Sequence, residues 1–196
     1  MKEAAVTMTH DETLVRRYRF NVDEYHRMAE AGVLHGDHRV ELLDGGVVVM
    51  SPIGDPHAAC VNRLNRFLGA RVGERAIVSV QNPVQLDEHS EPQPDVALLV
   101  PRDDFYASAT PRPEDTLLAI EVGDSSVRFD REVKAPLYAK AGVRELWLVD
   151  LPAGEVTVCL RPTADGYSEL SVKRRGESLA PEGLPDALVR VDDVLG

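Results

Sequence analysis

The sequence predicts an α/β fold, a mixed sheet flanked by helices, and three observations carry that expectation. From Pro56 onward the segments read helix, three strands, helix, strand, an order that favours a sheet covered by helices. The aliphatic runs are short, as in Leu117 to Ile120, which suits buried strands and falls far short of a bilayer span. Between Arg39 and Met50 two apolar runs flank an Asp-Gly-Gly turn, a strong local hairpin signal. With 196 residues and a hydrophobic fraction of 43%, the chain can bury one ordinary core.

Residues 1–17 lack periodicity and read as a flexible tail, leaving residues 18–196 as one domain. Asn21 followed by Glu24 forms a capping box. Phe20 and Tyr25 stand at the two staple positions, so a short packing helix is expected to run to Ala31 and stop at Gly32. After the hairpin, which makes Glu41 a strand residue, Asp55 and Pro56 supply an N-cap and an N1 proline. Ala58, Val61, Leu64, Leu68 and Val72 then recur at helical spacing until Gly73, with Arg63, Arg66 and Arg71 off the stripe. Strands are expected over about Ala76–Leu86, Asp95–Val100 and Leu117–Val122, followed by a helix from about Arg128 to Ala141 closed by Gly142. Glu145–Asp150 reads as a buried strand, and EVTVCL with Tyr167–Arg174 as a closing hairpin.

Composition excludes several classes. The polar N-terminus carries no secretory signal, and no run is long enough for a membrane, so a cytoplasmic protein without membrane partners is expected. Cys60 and Cys159 are far apart and lack zinc-type spacing, which points to buried or neutral thiols. A net charge of −11 argues against indiscriminate attraction to phosphate backbones. Carboxylates gathered round a divalent cation would soften that objection locally.

The chemistry concentrates in two carboxylates. Asp95 opens one strand and Glu121 lies near the end of the next, so antiparallel pairing would make them neighbours. Glu121 follows Leu-Leu-Ala-Ile, where an unpaired carboxylate would be costly to desolvate and calls for a cation or a basic partner. Asp130, Lys134 and Tyr138 recur at i, i+4 and i+8 along one helix face. A lysine there could orient water, and two carboxylates with a main-chain carbonyl make the all-oxygen environment suited to Mg²⁺ or Mn²⁺. Each residue also has an ordinary reading. Asp130 and Lys134 could be a solvated ion pair, Glu121 a structural partner for a basic residue, Asp95 a strand-start residue, His57 a capping or surface group, and Glu41 an exposed hairpin residue.

The segments RVELLDGGVVVMSP (Arg39 to Pro52), PDVALL (Pro94 to Leu99) and AIEVGDSSVRFDREVKAPLYAKAGVRELWLVD (Ala119 to Asp150), with His57 between the first two, resemble the Uma-type restriction-endonuclease-like family of the PD-(D/E)XK nuclease superfamily. The resemblance extends from Tyr18 to Leu195. It implies a restriction-endonuclease-like core, with Glu41, Asp95 and Glu121 around a divalent cation, the Val122 carbonyl as a further ligand, and Lys134 as the basic residue. Asp130, Tyr138 and His57 would be supporting groups. The sequence departs from the superfamily pattern where Glu121-Val122-Gly123 lacks the tripeptide lysine, and the helix lysine Lys134 looks like its substitute. The expected function is an endonuclease using Mg²⁺ or Mn²⁺ to hydrolyse phosphodiesters, in DNA ahead of RNA, working as a homodimer. The alternatives are a catalytically silent nuclease-fold module that binds metal or nucleic acid, and a phosphodiesterase of small substrates.

Overall fold

The computed structural model describes residues 17–35 and 38–196, so the tail expected at the N-terminus lies, apart from Arg17, outside the described residues. Helix α1 (Val22–Glu30) carries both bonds of the capping box: the Asn21 side chain accepts from the Glu24 amide, and the Glu24 carboxylate accepts from the Asn21 amide. Strands β1 (Val40–Leu43) and β2 (Gly46–Val49) form the expected hairpin. Its turn residues Asp44 and Gly45 both have positive φ, which these residue types tolerate. This hairpin is a sheet of its own. Val40 and Leu42 pack it against Val22 and Tyr25 of α1.

The main sheet has six strands in the order β3 (Ile77–Val80), β4 (Val96–Leu99), β5 (Thr116–Gly123), β6 (Glu145–Asp150), β7 (Glu155–Thr163), β8 (Gly166–Arg174). All neighbours are antiparallel except β5 and β6, which are parallel and joined by the helical segment between them, as a parallel pair requires. Alternation along β5 divides its residues between two cores. Leu118, Ile120 and Val122 pack with Cys60, Leu64 and Leu68 of helix α2 (Asp55–Val72). Ala119 packs with Ala135 and Tyr138 of the crossover helix on the other face. The C-terminal segment adds a short ribbon, β9 (Ser178–Leu179) with β10 (Val189–Arg190), and the last helix α5 (Val191–Leu195), which closes the α2 side of the core.

Three sequence expectations need correction. The strand expected over Ala76–Leu86 ends at Val80, because Gln81 adopts φ 52° and Pro83 follows, so the ladder cannot continue. The cap of α2 is Gly54 with no side-chain bond, and Asp55 is the first helical residue, where its charge favours the helix N-terminus instead. The helix expected from Arg128 to Ala141 begins at Val127 and is not uniform. It consists of α3 (Val127–Phe129), a π turn (Asp130–Lys134) and α4 (Ala135–Ala141), ending as expected at a left-handed Gly142. Both cysteines are free and buried, and burial pushes their thiols up, Cys60 to about 12 and Cys159 to about 11.

Behind the sheet, one carboxylate serves packing. Glu145 is buried at the start of β6 and accepts from Trp147 Nε1 at 2.6 Å and from the Glu182 amide at 2.7 Å. Burial nevertheless holds its pKa above the ordinary value. Trp147→Phe keeps the ring volume but removes one donor, and is expected to cost about 1–3 kcal/mol at neutral pH. Losing a donor to the charged form raises the folded-state pKa of Glu145 further. The penalty should therefore shrink as pH falls from neutral through the raised folded-state pKa and be smallest below about 4.5, where the carboxyl is protonated in both states. Urea unfolding of both proteins at pH 7 and pH 4 measures it; an equal penalty at both values would contradict the assignment.

Candidate active site

Strand pairing brings the two central carboxylates together. Val96 lies opposite Ile120, so one step further along the same register places Asp95 beside Glu121. Asp95 immediately precedes β4 instead of opening it, and its side chain takes over where the ladder stops, with Oδ2 accepting the Val122 amide at 2.8 Å. Oδ1 receives Gln81 Nε2 at 3.2 Å and lies 3.0 Å from His57 Nε2. Burial alone would push the Asp95 carboxyl up, but His57, the Val122 amide and Gln81 together hold it below its ordinary value. The partnership raises the His57 pKa in turn, the hydrogen bond to Asp95 outweighing burial.

Glu121 is 3% exposed and accepts from Tyr138 Oη at 2.8 Å and from Lys134 Nζ at 3.2 Å on both oxygens. Lys134 Nζ also stands 3.1 Å from Glu41 Oε1, while Glu41 Oε2 accepts the Gln93 amide at 3.1 Å. The exposed-hairpin reading of Glu41 is thereby overturned, since all of β1 is buried. Asp130 is buried and accepts from Ser126 Oγ at 2.7 Å, so it is not half of a solvated pair.

The π turn explains why Asp130, Lys134 and Tyr138 all face inward. In an α-helix every four-residue step advances past a full turn by about 40°, so two such steps carry the third side chain well off the row. A π turn, bonding i to i+5, holds more residues per turn and rotates the first step back. The single ridge that results is buried along its length, all three residues being 5% exposed or less.

Four carboxylates thus gather here: Glu41 and Glu121 pair directly with the buried Lys134 ammonium, Asp130 acts on it through space, and Asp95 pairs with His57. Burial works against a charged Lys134, but Glu121, Glu41 and Asp130 outweigh it and hold its pKa above the ordinary lysine value. Burial is also the largest influence on Glu121, and with the remaining carboxylates it pushes that group well up despite Lys134. The neighbouring carboxylates thus keep Lys134 charged, while burial, helped by those carboxylates, opposes ionisation of Glu121. The cluster lies at the floor of an open cleft of about 390 Å³, lined also by Arg39, Val122 and the segment from Val48 to Gly54.

The oxygen-only donor set and the surplus of charge fit a hard divalent cation. Among the described residues no three His, Cys, Asp or Glu side chains form a ready-made cage. Mg²⁺ is commonly held by few protein carboxylates with water and substrate completing the shell, so a preformed cage is not required.

Sequence reasoning missed Gln81, Gln93 and Arg39. Gln81 and Gln93 act from loops whose path no local pattern encodes, although the Gln81-Asn82-Pro83 break is a visible stop signal.

Comparison with known proteins accords with this architecture. A crystal structure titled as that of a putative nuclease belonging to DUF820 from Anabaena variabilis ATCC 29413 superposes with a TM-score of 0.68, covering 90% of this chain and 97% of that one, at 15% identity. At that identity the likeness establishes the fold, which is restriction-endonuclease-like. No curated protein matches the chain. No helix among the described residues is long and apolar enough to cross a membrane. A family model described as "Uma2: Putative restriction endonuclease" matches residues 22–192, nearly the whole described chain, and the protein therefore belongs to the Uma2 family.

Proposed function

We propose that the protein is a metal-dependent endonuclease that hydrolyses phosphodiester bonds in DNA. The observation that carries this reading is the buried group of four carboxylates, two of them paired with Lys134, at the floor of an open cleft. Asp95 and Glu121 would hold Mg²⁺ or Mn²⁺, joined by the Val122 carbonyl and by Glu41. Bound there, the ion would supply Lewis-acid stabilisation of phosphoryl charge and an acidified water. The chain's own groups do the positioning. The Val122 amide, Gln81 and His57 fix the Asp95 carboxylate, Tyr138 and Lys134 fix Glu121, and Ser126 fixes Asp130. Among the described residues lining the cleft Lys134 is the one ammonium, suited to orienting a water and offsetting charge on the phosphoryl oxygens.

A second reading, a silent nuclease-fold module, is favoured by the engagement of Lys134 with both Glu41 and Glu121. One assay separates the two. The full chain is incubated with supercoiled plasmid and with single-stranded circular DNA in Mg²⁺, Mn²⁺ or EDTA, beside Asp95→Ala. Cleavage that needs the metal and falls about 100-fold or more in Asp95→Ala is expected, the scale on which disturbing a metal's ligand shell acts. Metal binding by calorimetry without cleavage of either DNA would establish the silent module. Equal activity in both proteins would sink the site assignment.

A further inference from the structure

The mouth of the cleft is unlike its floor. One lip is formed by the segment leading from β2 into α2, where Ile53 is 43% exposed with Met50 and Pro52 beside it. Large apolar side chains standing in solvent at the entrance to a polar site are a candidate contact surface. Across from them runs the loop after β5; a side chain added at Gly54 would lie 3.7 Å from the Asp124 carboxylate.

Apart from His57, the basic residues lining the cleft are Lys134 and Arg39. Lys134 is sunk between Glu41 and Glu121. Arg39 donates one hydrogen bond, Nη1 to the Ser51 carbonyl at 3.1 Å, and has no carboxylate partner among the described residues. The arginines of the crossover helix are neutralised, Arg128 by Glu132 and Arg131 more loosely by Asp150. The first sixteen residues add no basic arm, since Lys2 and Arg16 are outnumbered by Glu3, Asp11 and Glu12.

A duplex binder holds its substrate by neutralising many phosphates, whereas a single strand can be held by few charges with apolar surface against the base faces that a duplex hides. This cleft offers one arginine without a carboxylate partner among the described residues, an apolar lip and a chain charge of −11. Resting on the nuclease reading above, we infer that the substrate enters as a single-stranded polynucleotide, with one backbone phosphate on Arg39 and a neighbouring base against Ile53. The next phosphodiester along the strand then reaches the carboxylates at the floor. Arg39 and the lip discriminate by strand geometry and leave base identity largely unread, since every base has a face to pack on the lip.

The test is fluorescence anisotropy of end-labelled DNA single strand, the matching duplex and the matching RNA single strand, with Ca²⁺ in place of Mg²⁺ to observe binding. Cleavage of the same strands is followed in Mn²⁺. The single strands are expected to bind about tenfold or more tighter than the duplex. Their logarithmic salt dependence should have a slope of about −0.7 to −1.5, one or two phosphates, against the far steeper slope of a duplex binder. Arg39→Ala should weaken single-strand binding and flatten the slope by about 0.7. Ile53→Asn, which adds no charge, should weaken it about tenfold with the slope unchanged, one lost base contact. Ile53 is exposed and Arg39 half-buried, and a urea melt checks that each variant folds.

Tighter binding and faster cleavage of the duplex would overturn this inference and leave the nuclease reading standing. So would an Ile53→Asn protein that changes from dimer to monomer in sedimentation while binding oligonucleotide unchanged, because the lip would then be a self-association surface. Failure to bind or cleave any strand with any of these metals would remove both readings together. The RNA arm decides which sugar the cleft accepts.

Discussion

Lys134→Met is expected to destabilise the metal-free protein by about 3–5 kcal/mol, the usual cost of removing one member of a buried ion pair. Methionine fills similar space along the helix ridge, so the loss is one of charge. Glu41 and Glu121 would lose the ammonium that stands 3.1 and 3.2 Å from them, with Asp95 and Asp130 adding further repulsion. Protonation of a carboxylate caps the penalty, which should therefore be smaller in acid than at neutral pH. A divalent cation should restore much of the loss, because a ligand present at a hundred times its dissociation constant stabilises by about 2.7 kcal/mol. Urea unfolding in EDTA and in saturating Mn²⁺ measures both effects. A loss below about 1 kcal/mol, the level of a surface pair, would mean that the ammonium does not balance the cluster. A full loss that Mn²⁺ leaves unchanged would mean that the cluster takes no ion, and the metal-dependent reading would fall with it.

What could be read from the sequence, and what could not, follows from the range over which each feature is determined. The capping box at Asn21 and Glu24, the Asp44-Gly45 turn and the stop at Gly142 are settled within a few residues, and each occurs where its local signal places it. The approach of Asp95 to Glu121 needed only one further assumption, antiparallel pairing of consecutive strands, which the Val96 to Ile120 register satisfies. The π turn was hidden because Asp130, Lys134 and Tyr138 look well placed for an α-helix. Their common burial against Glu121 overrides the regular repeat. The burial of Glu41 was equally hidden. A hairpin sequence cannot tell which face of a two-stranded ribbon will be covered, and here α1 and the loop through Glu91 and Gln93 cover it. The second buried carboxylate site, Glu145 with Trp147 and the Glu182 amide, links residues 37 apart in sequence and leaves no periodic trace.

Glu121→Gln is expected to move stability and activity in opposite directions. The substitution keeps shape and an acceptor for Tyr138, but removes one charge from a cluster that holds more than Lys134 can balance. Because burial raises the folded-state pKa of Glu121 above the ordinary 4.5, its ionisation opposes folding. That opposition is absent below the unfolded-state pKa and grows as pH rises. The metal-free Gln variant should therefore be more stable than wild type at neutral pH by about 1–2 kcal/mol, the size common when a strained functional residue is relieved. The gain should fade below about pH 4.5. Cleavage should fall about 10³-fold, since an ion held by one carboxylate fewer contributes several kcal/mol less to phosphoryl charge stabilisation. Thermal melts across pH and single-turnover cleavage in Mn²⁺ read the two effects on the same preparation. Loss of both stability and activity would make Glu121 a packing residue whose charge Lys134 and Tyr138 fully satisfy. A stabilised protein with undiminished cleavage would remove Glu121 from the metal site. The expected combination, a firmer fold with an idle cleft, would mean that the buried negative charge is kept at the expense of stability because the reaction needs it.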